Sequence, residues 1–247
     1  MRWSWLLLLL AGLAIFSCSQ NQEQKYISMQ RQADLAFEQG DYQKAALLWQ
    51  EIINREAVQA ESYVQFAKTQ IRLGALVKAK QAYLKALELE PEVQKWRKEL
   101  GKLCILLADR QYLQDCFSKL SSNSTAFHLL KGAFFILEQK EDKALEQYSK
   151  VLEVEPNNHL ALVRSAICLL ITGDEKKAQK RYNSLEKQSN LTFEVKLGMS
   201  DYWRVKGNYQ KAEKILLLAL KENDHDFLLK QRLIELYRSE ERRVGKE

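Results

Sequence analysis

The sequence predicts an all-α fold, a solenoid of antiparallel helix hairpins. Three observations carry that prediction. The 247 residues are rich in Leu, Ala, Lys, Glu and Gln, with 2 prolines and 9 glycines, a balance that favours helix. No stretch alternates apolar and polar residues for long enough to make a strand. Short segments recur at a fixed spacing: "EQGDYQKAALLWQEII", "RLGALVKAKQAYLKAL", "EQKEDKALEQYSKVL", "ITGDEKKAQKRYNSL" and "VKGNYQKAEKILLLAL".

At the N-terminus, Arg2 precedes an apolar run from Trp5 to Phe16. The run has the length of a signal peptide and falls short of the roughly 20 residues that a spanning helix needs. Residues 1–17 are therefore expected to be a signal peptide. Ile15-Phe16-Ser17-Cys18 resembles the bacterial lipobox, although Phe16 stands where a smaller residue is usual. The resemblance implies cleavage before Cys18 and acylation of that cysteine; the alternative is an ordinary secretory signal or an uncleaved anchor. Residues 18–25, with the polar "SQNQEQ", then form a tether from the membrane. Several acyl chains hold far more firmly than one, since each buried methylene contributes about 0.8 kcal/mol. An exported, lipid-anchored location follows, on the periplasmic side of the outer membrane if the cell has two, because Ser19 rather than Asp follows the cysteine.

From Tyr26 to Tyr237 the recurring segments fall into register. Gly40 and Gly74 lie 34 residues apart, as do Gly173 and Gly207, Ala45 and Ala79, and Ala178 and Ala212. Two copies close alike, "LELEP" at Pro91 and "LEVEPNN" at Pro156. Glycine ends a first helix cheaply because it accepts positive φ. Ala45, Ala79, Ala144, Ala178 and Ala212 let two helices approach closely. Trp49, Tyr83, Phe117, Tyr148 and Tyr182 fill the space toward the next hairpin, and proline stops the second helix. This pattern resembles the tetratricopeptide repeat, whose period is 34. The resemblance implies a right-handed superhelix. Repeats begin near Tyr26, Ala60, Gln94, Thr125, His159 and Phe193, and a seventh begins at Phe227. The third, 94–124, is degenerate: "ADRQYLQDCFSKL" lacks the glycine turn and the small alanine, and it is about three residues short.

The chain offers little to catalysis, cofactors or metals. His128, His159 and His225 are scattered, and none has a His or Cys three or four residues away to pair with on a helix face. No phosphate loop or nucleophile elbow is present. The net charge is +6; removing Arg2 and the net +1 of residues 238–247 leaves +4, too weak to argue for nucleic acid. Cys104, Cys116 and Cys168 read as small buried hydrophobes. Cys104 and Cys116 occupy the two helices of the third repeat, where an exported location would permit a bridge.

A solenoid instead offers a concave face, lined by the first helix of each hairpin. In the present register its N-terminal half is basic, with Arg31, Lys68, Arg72, Lys95, Lys98 and Lys102. The fourth and fifth repeats supply an apolar floor of Leu129, Ala133, Ile136, Leu160, Val163, Ile167 and Leu170, unless the superhelix itself or a missing C-terminal repeat covers these positions. The sixth is mixed, with Glu194, Leu197, Asp201 and Arg204. The expected partner is a protein segment carrying acidic and apolar residues; no small-molecule substrate is expected. The asparagines of the family's carboxylate clamp are absent from these positions. The family resemblance extends to envelope lipoproteins of pilus assembly and exopolysaccharide export, which implies a non-catalytic scaffold. The alternative is the recognition half of a longer enzyme.

The last ten residues, "RSEERRVGKE", carry no apolar face. Reverse-translated, they resemble a sequencing adapter read in frame. The expectation is that residues 238–247 are an assembly artefact and that the natural chain is longer.

Overall fold

The computed structural model describes residues 23–55, 59–186, 188, 190–222 and 226–244, with the backbone alone for Arg243 and Val244. The signal segment and Cys18 lie outside the described residues. Among those described there are thirteen helices and no strand. They are α1 (23–38), α2 (Tyr42–Ile53), α3 (Ala60–Arg72), α4 (Leu76–Leu89), α5 (Gln94–Leu106), α6 (Arg110–Ser118), α7 (Thr125–Leu137), α8 (Glu141–Val154), α9 (His159–Ile171), α10 (Glu175–Glu186), α11 (Phe193–Val205), α12 (Tyr209–Glu222) and α13 (Phe227–Val244). No described helix is long and apolar enough to cross a membrane.

Each odd-numbered helix up to α11 pairs with the next to make a hairpin. The turn between them is the same throughout. Its central residue has positive φ: Gly40 (79°), Gly74 (74°), Ala108 (51°), Gln139 (56°), Gly173 (91°) and Gly207 (80°). The next amide then bonds back to a carbonyl five residues earlier, as Asp41 does to Ala36, Asp109 to Cys104 and Asp174 to Leu169, at 2.8–2.9 Å. This is the Schellman closure of a helix end. The third hairpin lacks the glycine, yet it makes the turn with Ala108. The residue after the turn often caps the second helix: Asp41, Asp109 and Asp174 accept from the amides of Lys44, Tyr112 and Lys177.

The spacing of small and large residues sets the packing. Ala45, Ala79, Ala144, Ala178 and Ala212 are fully buried between their helices. Trp49, Tyr83, Phe117, Tyr148 and Tyr182 are buried one turn further on. In the third hairpin Leu113 occupies the alanine position, also fully buried, and α6 has only 9 residues against 14 in α4. The core falls into three clusters that follow one another along the array, from Met29 in α1 to Leu236 in α13. Cys104, Cys116 and Cys168 are buried and unbridged. The Cys104 thiol, beside that of Cys116, is pushed up by that neighbour and by burial.

The helix does not break at Tyr237. α13 runs without interruption to Val244, so the charged stretch from Arg238 continues the helix rather than ending it. Leu229 and Leu236 are its buried anchors, and the Tyr237 hydroxyl donates to Glu213 on α12 at 2.5 Å.

Candidate functional site

Contacts between helices far apart in sequence identify the inner face. Lys102 on α5 reaches Glu194 on α11 at 3.0 Å. Arg72, the last residue of α3, reaches Asp226, just before α13, at 2.6 Å. Side chains separated by 92 and 154 residues can meet in a stacked array only across the inside of its curve. The first helices of the hairpins therefore line the concave side.

The basic positions do not form an open cationic strip. Arg31 and Lys95 are exposed and Lys98 is half-buried. Lys68 donates to Gln65 at 3.2 Å and lies 3.9 Å from Glu61. Arg72 and Lys102 are engaged by acids of the chain itself, Lys102 also by Glu99 at 3.2 Å. Burial works against the Lys102 ammonium, but Glu194 and Glu99 outweigh it and hold its pKa above the ordinary value. Likewise burial would raise the Glu194 carboxyl, and Lys102 outweighs it and holds it low. A third pairing joins Asp201 to Arg204 at 3.3 Å and to Arg232 of α13 at 3.8 Å.

The apolar positions divide in two. Val163 is fully buried, packed against Gly198, where an added Cβ would come within 2.7 Å of a Val163 methyl. Leu129 and Ala133 are also buried. These three are taken up by the packing of the superhelix. Ile136, Leu160, Ile167 and Leu170 are half-buried.

Sequence reasoning missed two features. Asp226 and Phe227 lie against the end of α3, and no local pattern announces a contact between residues so far apart. Arg97 is buried, with one guanidinium nitrogen donating to the Pro91 carbonyl at 2.5 Å. Its place on the inward stripe of α5 is the signal that could have found it. Among the described residues, no three His, Cys, Asp or Glu side chains gather as a metal site.

Comparison with known proteins bears on the architecture. A family model described as tetratricopeptide repeat matches residues 60–93, which are α3, α4 and the turn that follows them. This chain has the tetratricopeptide-repeat fold. It is similar to the crystal structure of a tetratricopeptide repeat protein from Parabacteroides merdae, with a TM-score of 0.70 and 16% identity over 86% of this chain and 84% of that one. It is also similar to Pseudomonas aeruginosa PilF, with a TM-score of 0.55 and 12% identity over 85% and 97%. MamA from Desulfovibrio magneticus gives 0.58 and 15% over 68% and 98%. No curated protein sequence matches. At these identities the likeness concerns the fold. The tetratricopeptide-repeat solenoid is an architecture for protein–protein interaction, with an extended concave surface as its means.

Proposed function

We propose that the chain is a non-catalytic interaction scaffold of a bacterial cell envelope. In this reading it is exported, anchored through lipid at Cys18, and holds a segment of a partner protein in its concave face. The observation that carries the reading is the inner face itself. Among the described residues no carboxylate lies within 4.0 Å of Arg31, Lys95 or Lys98, although Lys98 is near enough to Glu155 to help hold that carboxyl low, and Ile136, Leu160, Ile167 and Leu170 are half-buried. A segment with acidic residues followed by apolar ones suits that order of charge and hydrophobicity. The role in assembling a pilus, secretion or exopolysaccharide-export complex rests on the lipobox-like Ile15–Cys18 and on the fold likeness to PilF.

Two measurements test it. Metabolic labelling with palmitate should mark the mature chain and fail for Cys18→Ala; an unlabelled wild-type chain would remove the anchor from the reading. A photo-crosslinker at Lys95 or Ile167 should capture a discrete partner in cells, and Lys95→Glu with Lys98→Glu should abolish the adduct. Capture that is equally strong from exposed Lys150, on the second helix of its hairpin, would count against the groove.

A further inference from the structure

At the end of α3 the chain covers one of its own surfaces. Gly74, in the turn after α3, has φ 74°, and a Cβ placed on it would sit 2.4 Å from an edge carbon of the Phe227 ring. The ring therefore lies directly on the glycine. At Gly173, the same position of the fifth hairpin, an added Cβ would meet nothing within 4 Å. Two residues before Gly74, the Arg72 guanidinium holds Oδ2 of Asp226 at 2.6 Å and lies 5.8 Å from the centre of the Tyr42 ring. The other carboxylate oxygen of Asp226 accepts from the amides of Leu228 and Leu229 at 3.0 and 3.2 Å, starting α13. Asp226 is buried by this arrangement, while Phe227 is still 42% exposed. That ring is laid over the glycine rather than sunk in the core.

The two halves of the contact have different chemistry. A planar guanidinium is the donor best suited to a carboxylate, and one resting near an aromatic ring is held in place for it. A glycine without Cβ gives a ring flat backbone to lie on. We propose that Arg72 and Gly74, with Tyr42 beside them, form a docking site for an acidic–aromatic residue pair, which this chain fills in cis with Asp226–Phe227. So filled, the site latches α13 to α3 across the concave face. Emptied, it takes the same pair from a partner segment. The latch in cis stands on the contacts alone; only its use in trans rests on the scaffold reading above.

Hydrogen exchange of the full chain, read by mass spectrometry, tests the latch. Arg72→Gln removes the charge from a residue that is remote in sequence from α13. Asp226→Asn removes it from the other side while keeping a residue that caps a helix well. Each should raise exchange in residues 227–236 about fivefold and leave α7 and α8 unchanged. Unchanged exchange in α13 for Arg72→Gln overturns the latch. So does a rise for Asp226→Asn alone, which would reduce Asp226 to a cap. Use in trans is tested with a fluorescent peptide spelling residues 222–236. It should bind the Asp226→Asn, Phe227→Ala double variant about tenfold more tightly than wild type, and Arg72→Gln added to that variant should cancel the gain. Failure to bind the double variant, with the exchange result intact, overturns use in trans while the latch stands. Binding that survives Arg72→Gln overturns the assignment of the site.

Discussion

Replacing Ala108 and Gln139 by glycine is expected to stabilise the array. Both residues hold a left-handed backbone, at φ 51° and 56°, where an L side chain costs about 1–2 kcal/mol. Glycine returns part of the gain, about 0.5–1 kcal/mol, through the greater freedom of the unfolded chain. Both side chains are exposed, so little packing is lost. The closing amide bonds, Asp109 to Cys104 and Lys140 to Phe135, are 2.9 Å, as good as those at the glycine turns. The net gain is about 0.5–1 kcal/mol per site. The sites sit in neighbouring hairpins that Arg110 joins through Leu137 and Glu138, so the double variant should gain about 1–2 kcal/mol at most. Urea unfolding followed by circular dichroism measures it. Gly173→Ala is the matched inverse: with φ 91° and nothing within 4 Å of the added methyl, its net cost should be about 0.5–1 kcal/mol, the backbone strain less the freedom that the unfolded chain loses with glycine. If the double glycine variant unfolds at the same or lower urea while Gly173→Ala costs nothing, the reasoning about the turn is wrong.

Val163→Asp should cost about 3–5 kcal/mol, because it leaves an unpaired charge in a fully buried site. Ile136→Asp, at a half-buried position, should leave the fold intact and test partner binding. Tyr182→Phe removes the oxygen that accepts from Trp203 Nε1 at 2.6 Å and should lower unfolding free energy by about 1–2 kcal/mol; an unchanged midpoint would mean that the indole is satisfied elsewhere. The Glu194 carboxyl is held low in the fold, so its contribution is present above the ordinary glutamate range near pH ~4.3. That contribution is lost as pH falls through the lower folded value. An acid titration of Glu194→Gln should therefore show a shallower loss of stability below that range than wild type, and identical curves would refute the pairing.

The hairpins were legible because each one is a local object. A small residue, an aromatic ring, a turn and a stop at fixed offsets are enough to specify two helices and their contact, and the repetition supplies its own check. The third hairpin shows the limit of reading residue types: Ala108 takes the conformation of a glycine because the same carbonyls and amides still need partners. The groove was legible as a set of positions, but much less as a surface. Val163 looked like floor, yet it is spent on the seam with α11, because the close approach at Gly198 depends on α9 and α11 together. Arg72 and Lys102 looked like free cations, yet their acids lie 154 and 92 residues away. The sum of many small hairpin rotations sets such meetings, and no single repeat encodes that sum.

An open stack of repeats gains its energy one neighbour at a time, and its end units fray first. Here the second hairpin touches the start of α13, and the third touches the sixth. The array is a bent spring clipped across its opening. A tied spring stores changes of curvature as tension at the clip. A push on the outer helices in the middle of the array would load both clips, Arg72–Asp226 and Lys102–Glu194.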